Sequence, residues 1–362
     1  MKIYETTYNE TVPSFFQNNF IIFDIETTGL SPKTSFITMI GMLLYHEKKW
    51  KIIQIFNDDG ESEQDVIQSF FSYISKNNIF IHYNGTRFDL PFLIERCEYH
   101  TIHSNVMDNV TSVDLSKVFS PLKDLFQLKN KKLSTLLKFS NKRKKTDISG
   151  RKYVQLYLVY LKLQDDEILQ DLLAHNYDDL DGIVFLCQWF TLLEELKQST
   201  QEQFYFEIKK EQLYCSFSLK MAFFQVFTIM KEINNCNLNY KISCDTNQLL
   251  IEFPLYFGEQ KFFYPNYKDY YYLPMEDMAI HKSVATYVDK EYRQKATAKN
   301  CYIKKKGIFL PLFEPISTSV FYENSDKKIP YILFDKDFGE KYGKEWVRQL
   351  FEEIQFPQFP EM

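Results

Sequence analysis

The sequence predicts an α/β domain, a mixed five-stranded sheet with flanking helices, followed by a second, smaller α+β domain rich in antiparallel strands. Three observations predict it. Up to Leu115, short apolar runs and amphipathic helical patterns follow one another in the order β-β-β-α-β-α-β. From about Asn130 to Lys197 the pattern is helical throughout. Beyond Ser199-Thr200, apolar and polar residues alternate with the period of half-buried strands. The expected domains are residues 1–198 and 199–362.

Each element has its own warrant. Phe20 to Phe23 form an apolar run that ends on Asp24, as in a fully buried strand. "SFITMIGMLLYH" and "KWKIIQIFN" are the next two strands, joined by a polar turn. Ser62-Glu63-Gln64-Asp65 resembles a capping box. It opens a helix with Val66, Ile67, Phe70, Phe71 and Ile74 on one side. "IFIHYN" is a fourth strand. After Asn84-Gly85 a second helix starts near Asp89-Leu90-Pro91, where proline in the first turn is tolerated. "TSVDL" is the fifth strand. In the second domain "FYFEIKK", "LYCSFSLK", "LNYKIS", "LLIEFPLYF" and "QKFFYP" alternate as antiparallel strands do. Helices are expected over Glu276–Ala298 and Lys344–Ile354.

Composition narrows the function classes. A chain of 362 residues that is 45% apolar can bury two cores and is not a disordered sequence. No apolar run approaches the ~18 residues of a membrane span. "MKIYETTYNETV" at the N-terminus lacks the apolar segment of a signal peptide. Cys97, Cys187, Cys215, Cys236, Cys244 and Cys301 include no C-x-x-C pair. They are expected as scattered thiols of a cytoplasmic protein rather than a disulfide frame or zinc site. The net charge of −5 does not advertise a polyanionic partner. Two local runs do: Lys138 to Lys152, with seven basic residues against Asp147 alone, and His281 to Lys306. Most such runs are solvated faces, and that alternative stays open.

The residues that carry chemistry come in three segments. In "FIIFDIETTGLS" Asp24 and Glu26 are two apart, so both project from one face of a strand, at its carboxyl end. Two unpaired carboxylates there repel, and a divalent cation with hard oxygen coordination relieves the repulsion. In "IHYNGTRFDLPFLIERC" Asp89 opens a helix, as an N-cap, as a ligand, or as both. In "LLAHNYDDLDGIVFLCQWF" His175 and Asp179 are four apart on one helical face, and so are Tyr177 and Asp181. The apolar stripe decides the register. At ~100° per residue Asp179 lies roughly 60° from the centre of the stripe and Asp181 roughly 140° away. Asp179 is therefore expected on the rim of the buried face, and Asp181 in water.

"DIETTGL", "HYNGTRFDLPFL" and "HNYDDL" together resemble the three exonuclease motifs of the DEDD superfamily, which has the RNase H-like fold. The segment "LSTLLKFSNKRKKTDISGRKYVQLYLVYLKLQDDEILQDLLAHNYDDL" is similar to the YprB-like branch of predicted bacterial exonucleases, where a helical insert ends in an H-N-x-x-D pattern. The resemblance covers about residues 18 to 197. It implies two divalent cations, Mg²⁺ or Mn²⁺. Asp24 would bridge them, Glu26 and Asp179 would complete one site, and Asp89 would hold the other. His175 would take a proton from the attacking water. In the family this base is often Tyr four positions before the last Asp, or His five before it. Here Ala174 occupies the latter position and His175 the former. The implied reaction is hydrolysis of DNA or RNA from a 3′ end. Thr28, Leu30, Asn84 and Phe88 would touch the terminal nucleotide, although for Leu30 and Phe88 simple packing is an equal reading.

Residues 199–362 carry no catalytic constellation. The expected helix there aligns Lys282, Arg293 and Lys295 beside the aromatic stretch "KFFYPNYKDYYYLP". Basic groups can track phosphates while rings stack on bases, which makes this the expected grip on a nucleic-acid strand. A structure-specific endonuclease using the same residues, and a non-catalytic nucleic-acid-binding or scaffold protein retaining the fold, are the competing functions. Four intact acidic positions argue against the scaffold. A proofreading part of a polymerase is disfavoured, because the remaining residues cannot house one.

Overall fold

The computed structural model describes residues 1–103, 111–142, 144–146, 148–198, 204–218, 227–233, 237–245 and 247–354. Cys236, the Ser199-Thr200 boundary, and Arg143 and Asp147 of the first basic run lie outside the described residues. The chain divides between Glu194 and Glu195 into two compact units.

The first unit is built on a six-stranded mixed sheet. Its strands are β1 (Lys2–Thr7), β2 (Phe20–Thr27), β3 (Ile37–His46), β4 (Lys49–Phe56), β5 (Ile79–His82) and β6 (Thr111–Asp114), in the spatial order β1-β4-β3-β2-β5-β6. β1 to β4 pair antiparallel, and β5 and β6 continue parallel to β2. The fold class is the one expected, with one strand more than the five read from the sequence. β1 escaped because it is an edge strand, nearly all exposed, and "KIYETT" has no apolar stripe to betray it.

Helices cover both faces of this sheet. α1 (Glu63–Ser72) and α2 (Asp89–Tyr99) pack on one side, where Val66, Ile67, Phe70, Phe92 and Leu93 meet Ile21, Phe23 and Ile55. α6 (Gly150–Leu163) and α7 (Asp166–Gln198) cover other core residues. Tyr153, Tyr157, Tyr160 and Leu172 pack with Met39 and Phe56. Between β6 and α6 lie three short helices: α3 (Leu115–Val118), α4 (Leu122–Leu125) and α5 (Leu133–Phe139). The expected capping box does not form. Ser62 makes no cap bond. Asp59 and Asn57 take the loop N–H groups, and Glu63 turns inward to Arg96.

The second unit holds a five-stranded antiparallel sheet of β7 (Tyr205–Lys209), β8 (Gln212–Ser218), β9 (Phe227–Ile233), β10 (Leu238–Asp245) and β11 (Gln248–Pro254). Two three-stranded sheets follow, one of β12 (Tyr256–Phe263), β16 (Tyr302–Pro311) and β17 (Tyr331–Leu333), the other of β13 (Tyr270–Leu273), β14 (Met278–His281) and β15 (Gln294–Lys295). The alternation in the sequence is thus antiparallel sheet. The helix expected over Glu276–Ala298 is not there. Its residues form β14, one turn α8 (Lys282–Ala285), a 3₁₀ turn and β15. Tyr271 and Tyr272 pair with both β14 and β15, so sheet hydrogen bonds override the local pattern. The last helix, α9 (Phe338–Ile354), begins six residues before the Lys344 expected for it. It buries Trp346 and Phe351 against the first sheet of this unit, through Phe206, Phe253 and Phe217. Cys97, Cys187, Cys215, Cys244 and Cys301 are buried free thiols. Among the described residues no helix is long and apolar enough to cross a membrane.

Candidate metal centre

Asp24 and Glu26 stand at the carboxyl end of β2, beside its irregular pairing with β3 between Glu26 and Thr27. From the far side α7 presents His175 and Asp179. One ligand atom each from Glu26, His175 and Asp179 lies within 4.8 Å of the others, a cluster able to hold a metal ion. His175 Nε2 is 3.6 Å from Glu26 Oε1 and 3.9 Å from Asp179 Oδ2. Its Nδ1 is buried with no partner, and the Tyr153 ring lies 5.4 Å away. Among the described residues the imidazole therefore has its polar contacts with the carboxylates alone. Burial lowers its pKa, so the ring is neutral at pH 7 and keeps a lone pair.

Asp89 joins from the start of α2. It is not the cap: Phe88 holds that position, and the Asp89 carboxylate instead accepts the Ile25 N–H at 3.1 Å, between Asp24 and Glu26 on β2. This bond brings the second segment to the first. The electrostatics reflect the crowding. Burial, then Asp89, Glu26 and Asp179, push Asp24 well above the usual carboxylate range. Burial, then Asp179 and Asp89, do the same to Glu26, and burial lifts Asp89 to about 6. Such a site favours a positive charge. In this structure Lys144 supplies one by pairing with Asp179.

Residues not singled out in the sequence set this geometry. Asn176, fully buried, donates from Nδ2 to Asp24 Oδ2 at 3.2 Å. Gln54 of β4 orients it by donating to its Oδ1 at 3.0 Å and to the Leu173 carbonyl at 2.8 Å. Gly41 on β3 makes room: a Cβ there would lie 1.8 Å from Asn176 Oδ1. An isolated glycine inside "ITMIGMLLYH" was the available signal, since glycine within a strand marks a close approach. Asp114 at the end of β6 accepts the Asn84 and Thr86 N–H groups and fixes the loop before Asp89. Asn84 adopts the left-handed region, φ +65°, which asparagine tolerates.

Thr28 accepts the Phe36 N–H, Leu30 is 87% exposed, and Phe88 packs half-buried 5.5 Å from Phe92. Asp181 does not face water. It is buried, accepts the Tyr8 hydroxyl at 2.7 Å and pairs with Lys142 at 2.8 Å. The helical wheel could not foresee that the N-terminal segment and the loop before α6 cover that side of α7. In the second unit Lys282 is 4.0 Å from Asp269, Arg293 donates to the Ala285 carbonyl and lies 4.9 Å over Tyr271, and Lys295 is exposed on β15.

A family model of the RNase H superfamily matches residues 21–191, slightly under half of the chain. The first unit thus has an RNase H-like, nuclease-type fold carrying a carboxylate/histidine cluster fit for a metal. Among solved structures, the family B DNA polymerase from the hyperthermophilic archaeon Pyrobaculum calidifontis is similar at 17% identity and a TM-score of 0.39. The match covers 50% of this chain and 26% of that one, so the chain spans about a quarter of that polymerase's length. No curated protein matches the chain.

Proposed function

We propose that the protein is a metal-dependent 3′–5′ exonuclease of DEDD type, hydrolysing phosphodiester bonds of DNA or RNA, and that it belongs with the YprB-like branch. The convergence of Glu26, His175 and Asp179, with Asp89 raising the proton affinity of Asp24 beside them, carries this reading. Oxygen donors with an imidazole fit Mg²⁺ or Mn²⁺. Two such ions, held by Asp24, Glu26, Asp89 and Asp179, would supply Lewis acidity at the attacking and leaving oxygens. His175, neutral through burial, takes the proton of the attacking water at Nε2. The water oxygen bonds to phosphorus, the bond to the 3′ oxygen breaks with its electron pair, and a 5′-mononucleotide leaves. Asn176 holds Asp24 in place, and the Asp114-bound loop holds Asp89. Thr28, Leu30, Asn84 and Phe88 contact the terminal nucleotide. The nuclease domain is residues 1–198, and residues 199–362 form an accessory domain.

The test is incubation of the purified chain with 3′- and 5′-labelled DNA and RNA in Mn²⁺, Mg²⁺ or EDTA. Release of mononucleotides from the 3′ end, abolished by EDTA and by Asp24→Asn, is expected. Losing a carboxylate that would hold the metal should remove several kcal/mol of transition-state stabilisation. Near-normal turnover of Asp24→Asn in Mn²⁺ would sink the assignment, and internal fragments as first products would favour the endonuclease.

A further inference from the structure

The lysines before α6 are not a featureless solvated face. Lys129, Lys138, Lys142, Lys144 and Lys145 line one cleft of about 1280 Å³, and among the described residues none in its lining is acidic. In a chain of net charge −5, five cations gathered in one concavity are not background. One wall of the cleft is bound to the helix that carries the metal cluster. Lys142 pairs with Asp181, Lys144 with Asp179, Lys145 lies 3.7 Å over the Tyr177 ring, and the Thr146 N–H donates to Asp178 at 2.8 Å. Lys144 therefore joins the lining of the cleft to Asp179 of the cluster. Away from Lys144, Lys129 and Lys138 have no acidic partner among the described residues.

We propose that this cleft is the path by which a single nucleic-acid strand reaches the carboxylate cluster, its phosphates passing along Lys129 and Lys138 toward Lys145 and Lys144. The inference rests on the exonuclease reading for what happens at the end of the path, but not for binding along it. Three arguments favour this occupant. Lysines act as point charges that follow a phosphate backbone without reading bases. A strand end bound for a buried acidic site needs counter-charge up to its last phosphate, and Lys144, already on Asp179, stands there. The aligned basic helix expected as a grip in the second unit does not form, and its Arg293 is engaged with Ala285 and Tyr271.

The experiment is fluorescence anisotropy with a labelled single-stranded oligonucleotide and the full chain carrying Asp24→Asn, over a range of salt concentrations. Adding K129Q/K138Q, both at exposed positions, should weaken binding about tenfold at low salt and flatten the salt slope by about 0.7 for each lost phosphate contact. Adding K282E/R293E/K295E instead should leave both unchanged. If K129Q/K138Q binds like its parent, or only the second-unit triple loses affinity, the path is overturned. Equal displacement of the strand by polyglutamate at the same charge would also overturn it, in favour of an acidic protein partner. Wild-type hydrolysis, measured in parallel, separates the two claims. Hydrolysis with lysine-independent binding refutes only the path. Lysine-dependent binding without hydrolysis refutes only the exonuclease.

Discussion

Asp178, Asp179 and Asp181 on α7 do different work, and their neighbours say which. Asp179 reaches Glu26 and His175, Asp178 accepts from Thr146, and Asp181 accepts from Tyr8 and pairs with Lys142. Asp179→Ala should remove metal binding and hydrolysis with little loss of stability. Asp181→Ala should keep hydrolysis but cost about 1–3 kcal/mol, because the buried Tyr8 hydroxyl loses its partner. Turnover and thermal unfolding of both variants check this; a greater loss of turnover at Asp181 would mean the wrong register. His175 poses a narrower question, since its lone pair can hold a metal or take a proton. If it is the base, His175→Ala should lose at least about 100-fold in turnover. Mn²⁺ affinity, measured by calorimetry, should then stay within a few-fold. Loss of Mn²⁺ affinity would instead make His175 a ligand.

At the scale of elements, close packing of β3 on α7 sets the site. Gly41→Ala drives a methyl into Asn176, and overpacking of this kind costs about 1–3 kcal/mol. Asn176→Ala opens that space, so the double variant should recover much of the stability lost by Gly41→Ala while hydrolysis stays impaired, Asp24 having lost its donor. Additive stability losses in the double-mutant cycle would contradict the contact. On the other face Glu63 of α1 is a clamp. It accepts the Ile37 N–H and bonds Arg96 and His100, and Arg96 Nη1 also donates to the Pro32 carbonyl. Burial alone would raise Glu63, but its bonds to Arg96, His100 and Ile37 outweigh burial and hold it below its ordinary value. A carboxyl with a depressed folded-state pKa contributes stability above its unfolded pKa of about 4.3, lost as pH falls through the folded value. Glu63→Gln should therefore cost about 3 kcal/mol at pH 7, by leaving Arg96 buried without its partner. Its denaturant midpoint should then fall less steeply than the wild type's as pH drops below about 4.3. A parallel fall in both proteins would show that Glu63 does not carry the acid sensitivity.

For the whole molecule, the cluster couples ligand to fold. A cation that binds only the folded chain stabilises it by about 2.7 kcal/mol at one hundred times its dissociation constant. Mn²⁺ should thus raise the unfolding temperature of the wild type by several degrees, and EDTA should reverse the shift. Asp24→Asn and Asp179→Asn should show little of it. Without metal, the Asp24→Asn chain should unfold no earlier than the wild type, because one of several mutually repelling carboxylates is gone. An equal Mn²⁺ shift in all three proteins would place the binding site elsewhere.

The sequence by itself determined what local chemistry dictates. An apolar strand ending in D-x-E, a helix beginning near Asp89 and an H-x-x-x-D spacing on a helix could be read locally, and the β-β-β-α-β-α-β order follows from hydrophobic period, whereas the RNase H-like fold was implied by the resemblance of the three motifs. The tertiary structure decided what depends on partners far along the chain. β1 is a strand only because β4 offers an edge, and "KIYETT" has no burial pattern of its own. Residues 276–298 have a helical look but are drawn into a sheet by the tyrosines of β13. Asp181 is buried because Tyr8 and Lys142, 173 and 39 positions away, close over it. Asn176 reaches Asp24 across 152 residues because position 41 has no side chain. Period and propensity are properties of neighbours in sequence, whereas burial and charge pairing are properties of neighbours in space.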